Sequence, residues 1–114
     1  MIDPNDPPRW WTVDEANEAL PRVGDAVERA RGAVAGMKGN GHRPVSTFEG
    51  VVAELETEGI VLRDLAQGLV DFPAQGPRGR GYWLCWLLGE PEVAWWHWPE
   101  DGFAGRRPLD EPPE

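Results

Sequence analysis

Apolar side chains return at Val13, Ala16, Leu20, Val23, Val27, Ala30, Val34 and Met37, alternately three and four positions apart. That rhythm lays a single apolar stripe along one helix. Thr12 stands just before it and Glu15 three residues on. The two predict a capping box: the Thr12 hydroxyl accepts the Glu15 N–H, and the Glu15 carboxylate accepts the Thr12 N–H. On the polar side Glu18–Arg22 and Asp25–Arg29 stand four apart and predict intrahelical ion pairs. Pro21 removes one helical N–H and crowds the preceding turn, which predicts a kink. The stretch KGNGHRP, 38–44, reads as a turn with His42 as a solvated loop histidine. Beyond it Ser46 and Glu49 open a shorter helix that turns Phe48, Val51, Val52 and Leu55 inward and ends near Gly59. The connection is short, so the helices fold back as an antiparallel hairpin.

From Ile60 the period shortens. IVLRDLAQGLVDFPA predicts two strands about a turn near Ala66-Gln67, with Leu62 opposite Asp71 and Arg63 opposite Val70. QGPRGRG, 75–81, is a loop whose Arg78 and Arg80 are solvated. YWLCWLL (82–88) and VAWWHW (93–98) are the strongest strands, joined by GEPE. Closing that hairpin symmetrically pairs Leu84 with His97, Cys85 with Trp96 and Trp86 with Trp95. Leu84, Trp86, Trp95 and His97 then share one face, and Trp83, Cys85, Trp96 and Trp98 the other. Both faces are apolar, whereas a sheet with one face in water alternates with polar residues. The helix pair covers one face. The other needs a cover from the C-terminal DGFAGRRPL segment, a partner chain or a ligand.

The pattern therefore predicts an α+β fold. A helical hairpin, with a long kinked first helix and a shorter second, packs on a four-stranded antiparallel β-meander. Residues 10–109 form this single domain, between disordered, acidic, Pro-rich tails at 1–9 and 110–114. The length of 114 residues agrees with one domain. Seven tryptophans supply the bulk so short a chain needs for a core.

The net charge of −9 argues against nucleic acid and against an anionic membrane surface as partners. Residues 1–8 and 110–114 hold five acidic and no basic residues, so Arg9 to Leu109 carries −4. Cys85 is the single cysteine, which excludes an internal disulfide and a zinc site of several cysteines. No apolar run reaches membrane-spanning length, and a cytoplasmic location is expected.

TVDEANEALPRV, GIVLRDLAQGLVDFPA, LCWLLGE, WWH and GFAGRRPL, in that order across residues 10–109, resemble a bacterial family catalogued as domain of unknown function 2203. In that family the recurrent positions correspond to Asp64, Asp71, Phe72, Pro73, Cys85, Trp86, Gly89, Glu90, Trp96, His97, Gly102 and Arg106. The chain departs from the family in the short connection between its helices and in Leu87, where the family often has a charged residue. The resemblance implies a cytosolic prokaryotic protein and brings no reaction with it.

His97, Asp64, Asp71, Glu90 and Arg106 form the candidate ligand site. An imidazole with carboxylates suits Zn²⁺ or Mn²⁺, with His97, Asp71 and Glu90 as the metal ligands, or an acid–base pair in a hydrolase. No HExxH or HxH spacing supports it. Each residue also has a structural role open to it: Asp71 before Phe72-Pro73 can shape a turn, Glu90 can cap the hairpin, Arg106 can pair with either acid, and His97 can bond one carboxylate. Cys85, in mid-strand, reads as an inert buried thiol. Trp83, Trp96 and Trp98 read as an interaction face. The leading expectation is a non-enzymatic interaction or regulatory module, self-associating or binding a protein partner through that face or the long helix. The metal or small-molecule site is the alternative.

Overall fold

The computed structural model describes residues 2–35 and 44–113, with side chains left out at 35 and 44–46. Residues 38–43 of the KGNGHRP turn, with His42, and the Met37 end of the stripe lie outside the described residues; the expected Ser46 cap is corrected, because the second helix already begins at Pro44 and Ser46 falls inside it. Helix α1 spans Val13–Ala35 and α2 Pro44–Glu56. A five-stranded antiparallel sheet follows in chain order: β1 Val61–Asp64, β2 Leu69–Gln75, β3 Gly81–Leu87, β4 Trp95–His97 and β5 Arg107–Pro108. Among the described residues no helix is long and apolar enough to cross a membrane.

The capping box forms as its spacing requires, with Thr12 N–H to Glu15 Oε1 at 3.0 Å and Glu15 N–H to Thr12 Oγ at 3.1 Å. The helix then runs as one element from Val13 to Ala35 with Pro21 inside it, which differs from the expected kinked helix. Pro21 is exposed, so its ring points to water rather than into a packed neighbour. Ala16, Val23, Val27 and Ala30 are fully buried, and Ala19 and Ala26 widen the stripe. The ion pairs run between helical segments: Arg22 grips Glu58, just past α2, through two bonds of 2.7 and 2.6 Å, and Arg29 approaches Glu54 at 3.8 Å.

The meander has five strands, one more than its pattern predicts. The additional β5 is two residues long and contains Pro108, so it carries no alternation to read; a proline is tolerated there because the strand is an edge. Strand β4 is shorter than VAWWHW, because the Val93 N–H is taken by Asn17 Oδ1 of α1 at 2.7 Å.

The β3–β4 register sits one residue from the expected pairing, and so does β1–β2 as far as Leu62; past the shift Asp64 faces Leu69, as the expected register requires. Trp83 faces His97, Leu84 faces Trp96 and Cys85 faces Trp95. On the other side Asp71 faces Val61, and Val70 faces Leu62. One step of slip moves every side chain of a strand to the opposite face. Val70, Phe72, Leu84, Trp86 and Trp96 therefore point into the helix-covered core. Asp71, Trp83, Cys85, Trp95 and His97 share the second face. The expected grouping of Trp83 with Trp96 and Trp98 as one interaction face is corrected: Trp83 and Trp96 lie on opposite faces, 2% and 1% exposed. Of the three possible covers for the second face, the chain supplies its own. Arg106, from the C-terminal segment, lies over the rings of Trp95 and Phe103 at 5.1 and 4.9 Å.

Residues near both ends bond to this frame. Asn5 Oδ1 accepts the Gly81 N–H at 2.8 Å, and Glu111 O accepts the Trp96 indole N–H at 2.8 Å. Acidic, Pro-rich composition gives these ends no core of their own, but it leaves their oxygens available to donors at the sheet's margins.

Candidate functional site

Two polar residues interrupt otherwise apolar strands, Asp71 in LVDFPA and His97 in WWH, and the register turns both to the second face. Asp71 is level with Cys85, and His97 is level with Trp83, two positions further along β3. The imidazole therefore crosses over β3 to reach Asp71, with Nε2 at 2.9 Å from Oδ2. Both side chains are buried, at 4% and 1% exposed.

His97 Nδ1 lies 2.8 Å from the Trp98 carbonyl oxygen. A carbonyl and an ionised carboxylate only accept, so both contacts are hydrogen bonds when both ring nitrogens carry hydrogen. Burial by itself lowers the tendency of His97 to hold a proton. The Asp71 carboxylate and the Trp98 carbonyl outweigh it and raise the group above its ordinary value.

Arg63 completes the arrangement. It sits where the β1–β2 register shifts between Leu62 and Asp64, and its Nε donates to Asp71 Oδ2 at 2.9 Å. The irregularity re-aims a side chain that regular pairing would place elsewhere. The Arg63 guanidinium also lies over Trp83, 4.7 Å from the ring centroid. One oxygen of Asp71 is thus shared by the Arg63 guanidinium and the His97 imidazole. The other, Oδ1, is buried without a hydrogen-bond partner.

Across the strand from Asp71 is Cys85, fully buried. Burial and the neighbouring carboxylate push its thiol well above the usual range, so in this state it is protonated and unreactive. Donor atoms of Asp71, Cys85 and His97 all lie within 4.8 Å of one another. Above them opens a cleft of about 200 Å³ lined by Arg63, Leu69, Asp71, His97, Pro99, Gly102 and Phe103.

Of the five candidates taken from the sequence, the structure brings together Asp71 and His97. Asp64 is elsewhere, holding the β1–β2 turn by accepting the Gln67 N–H at 3.1 Å. Glu90 and Arg106 pair with each other at 2.8 Å. Glu90 also accepts the Leu87 N–H at 2.7 Å and so caps the β3–β4 turn. It is not among the clustered metal donors. Cys85 and Arg63 are the members the sequence reading missed. Their signal was available: a buried carboxylate needs partners, and the residues within reach of Asp71 across the ladder are few.

The donor set is mixed. Thiol, imidazole and carboxylate together suit Zn²⁺, which accepts sulfur, nitrogen and oxygen ligands. Arg63, and His97 when it is protonated, oppose a cation as long as they hold Asp71 Oδ2. No curated protein and no solved structure matches this chain. Residues 31–109, from the second half of α1 to the end of the sheet, match the model of a family described as "Uncharacterized conserved protein (DUF2203)", and the chain belongs to that family.

Proposed function

We propose that this protein binds a divalent transition metal, with Zn²⁺ the best fit, through Asp71, Cys85 and His97. One observation carries the reading: three different donor types converge within 4.8 Å, and one candidate oxygen, Asp71 Oδ1, is buried with no partner. Without a metal, the further donor facing that carboxylate is the weak S–H of Cys85, and a buried acceptor left poorly paired is unfavourable by about 1–3 kcal/mol. Three protein ligands leave one position of a tetrahedral ion to solvent or substrate, an arrangement compatible with hydrolytic chemistry. Uptake requires Cys85 and His97 to give up protons, so affinity falls as pH is lowered.

Titration of the reduced protein with Zn²⁺ by calorimetry tests this. The expected outcome is one ion per chain, with proton release seen as a dependence of the heat on buffer. Loading with Co²⁺ gives a thiolate charge-transfer band that Cys85→Ser abolishes. Absence of that band, together with binding no stronger than that of the surface carboxylates, overturns the proposal.

A second reading, a non-enzymatic module that self-associates or docks a partner, is supported by Phe103, 43% exposed at the mouth of the same cleft. The burial of Trp83 and Trp96 removes most of the aromatic surface that motivates it. Sedimentation of the parent against Phe103→Ser distinguishes this reading, because the metal site predicts no change in mass.

A further inference from the structure

The C-terminal residues form one wall of a cleft of about 610 Å³, whose other wall is Trp96, Trp98 and Arg107. Tyr82, Trp96 and Trp98 stand edge-on to one another. Their centroids are 5.5 Å apart for Tyr82–Trp96, 6.2 Å for Tyr82–Trp98 and 5.1 Å for Trp96–Trp98. The cluster is held rigid from both ends: Trp96 is buried in the core, and Arg80 stacks on Trp98 at 3.8 Å. Into this corner the chain lays Asp110-Glu111-Pro112-Pro113, and the Trp96 indole N–H donates to the Glu111 carbonyl just before the two prolines.

That contact has a chemical logic. A proline-rich segment in the polyproline II conformation has no internal hydrogen bonds, so its carbonyls point outward. A rigid aromatic groove with an indole N–H reads such carbonyls while the rings receive the prolines. The acidic residues complement Arg107, which makes no ion pair among the described residues and lies 5.5 Å over Trp96. Open space remains beside the segment, and the hold on it is slight. Leu109 N–H is fixed to Ala94 O at 3.0 Å, but beyond it the bonds are Glu111 N–H to Pro108 O at 3.0 Å and the indole bond.

We propose that this groove docks an acidic, proline-containing segment of a partner protein, and that the chain's own residues 110–113 occupy it in competition. A groove blocked nine-tenths of the time by its own tail binds a partner with about tenfold weaker apparent affinity.

The test uses the intact chain and a labelled peptide of sequence RPLDEPPE, followed by fluorescence anisotropy. The parent is compared with a variant carrying Pro112→Gly and Pro113→Gly, which loosens the tail and leaves every indole in place. The variant is expected to bind saturably and about tenfold more tightly than the parent, as removal of that competition requires. Adding Trp98→Ala abolishes the gain, and a peptide with glycine at both proline positions fails to compete. Glu111→Lys, which keeps the prolines and sets a like charge near Arg107, gives the same direction of change should the glycine variant fold poorly. Equal affinity for parent and variants, or no saturable binding to variants whose circular dichroism matches the parent, overturns the proposal. A concentration-dependent dimer of the parent that is lost in the glycine variant also overturns it, by assigning the groove to the tail of a second copy.

Discussion

Replacing Asp71 with Asn keeps the shape of the site and removes its negative charge. Two charge-assisted bonds end at Asp71 Oδ2. The one from His97 is buried at both ends, and hydrogen bonds to charged groups contribute about 1.5–3 kcal/mol. The one from Arg63 comes from a side chain that is 40% exposed, and solvent reduces it to about 1 kcal/mol or less. The substitution is therefore expected to destabilise the fold by about 2–4 kcal/mol, a large part of the ~5–15 kcal/mol typical of a domain. Urea unfolding followed by indole fluorescence measures it, with the slope checked to be unchanged. The pH dependence is the sharper test. His97 is raised above its ordinary 6.5 in the folded chain. Below that value folded and unfolded chains both hold the proton, so the contribution is full. As pH rises the unfolded chain loses its proton first, and the contribution is lost as the folded value is passed. The gap between parent and Asp71→Asn should thus be widest near pH 6 and narrow toward pH 8.5. Working below 9.0, the ordinary value of the Cys85 thiol, keeps that group's own loss of stability out of the measurement. A gap under about 1 kcal/mol at pH 6, or one constant across the range, refutes the assignment of a buried imidazolium.

Glu90→Ala strips the carboxylate from Arg106, a side chain only 13% exposed, and the acceptor from the Leu87 N–H; a loss of about 3 kcal/mol in urea unfolding is expected, and a loss below about 1 kcal/mol would show that the pair is exchangeable for water. Gly68→Ala forces a side chain onto φ of +71° with its Cβ 2.5 Å from Leu88 Cβ, so the β1–β2 turn must shift. Thermal unfolding should report about 2 kcal/mol of destabilisation, and a neutral result would refute the left-handed turn.

The helices were legible because their signals are local. Thr12 and Glu15 meet across three residues, and the apolar stripe declares its own face. The sheet was legible as a set of strands but not as a register. Trp83, Leu84, Cys85, Trp86 and Leu87 in one strand and Trp95 and Trp96 in the other are apolar on both sides, so alternation cannot favour one pairing over a neighbour one step away. What decides it is non-local: Asn17 of α1 takes the Val93 N–H, Gly68 O takes the Leu88 N–H, and the shift near Arg63 absorbs a residue. The candidate site inherited that uncertainty. Asp71 and His97 stood out as lone polar groups in apolar strands, and this much was readable. Their meeting, and the arrival of Cys85 and Arg63 beside them, depends on the slipped register. Asp64 and Glu90 look equally acidic in sequence. Their placement at turns, where backbone N–H groups need acceptors, separates them from the site.

The strand order of the sheet repeats the order of the chain, and this bears on how the protein reaches its native state. Each strand finds its neighbour across a connection that lengthens from four residues between β1 and β2 to nine between β4 and β5. Closure entropy grows only slowly with such lengths, about 0.6 kcal/mol per doubling, and pairing between sequential neighbours favours rapid assembly. Exceptions include the contacts of Trp11, whose backbone N–H reaches Pro73 and whose indole reaches Glu58. These tie the segment before α1 to β2 and to the end of α2. The chain can zip its meander from β1 onward, but the residues just before α1 must wait for that sheet before the Trp11 indole has anywhere to dock.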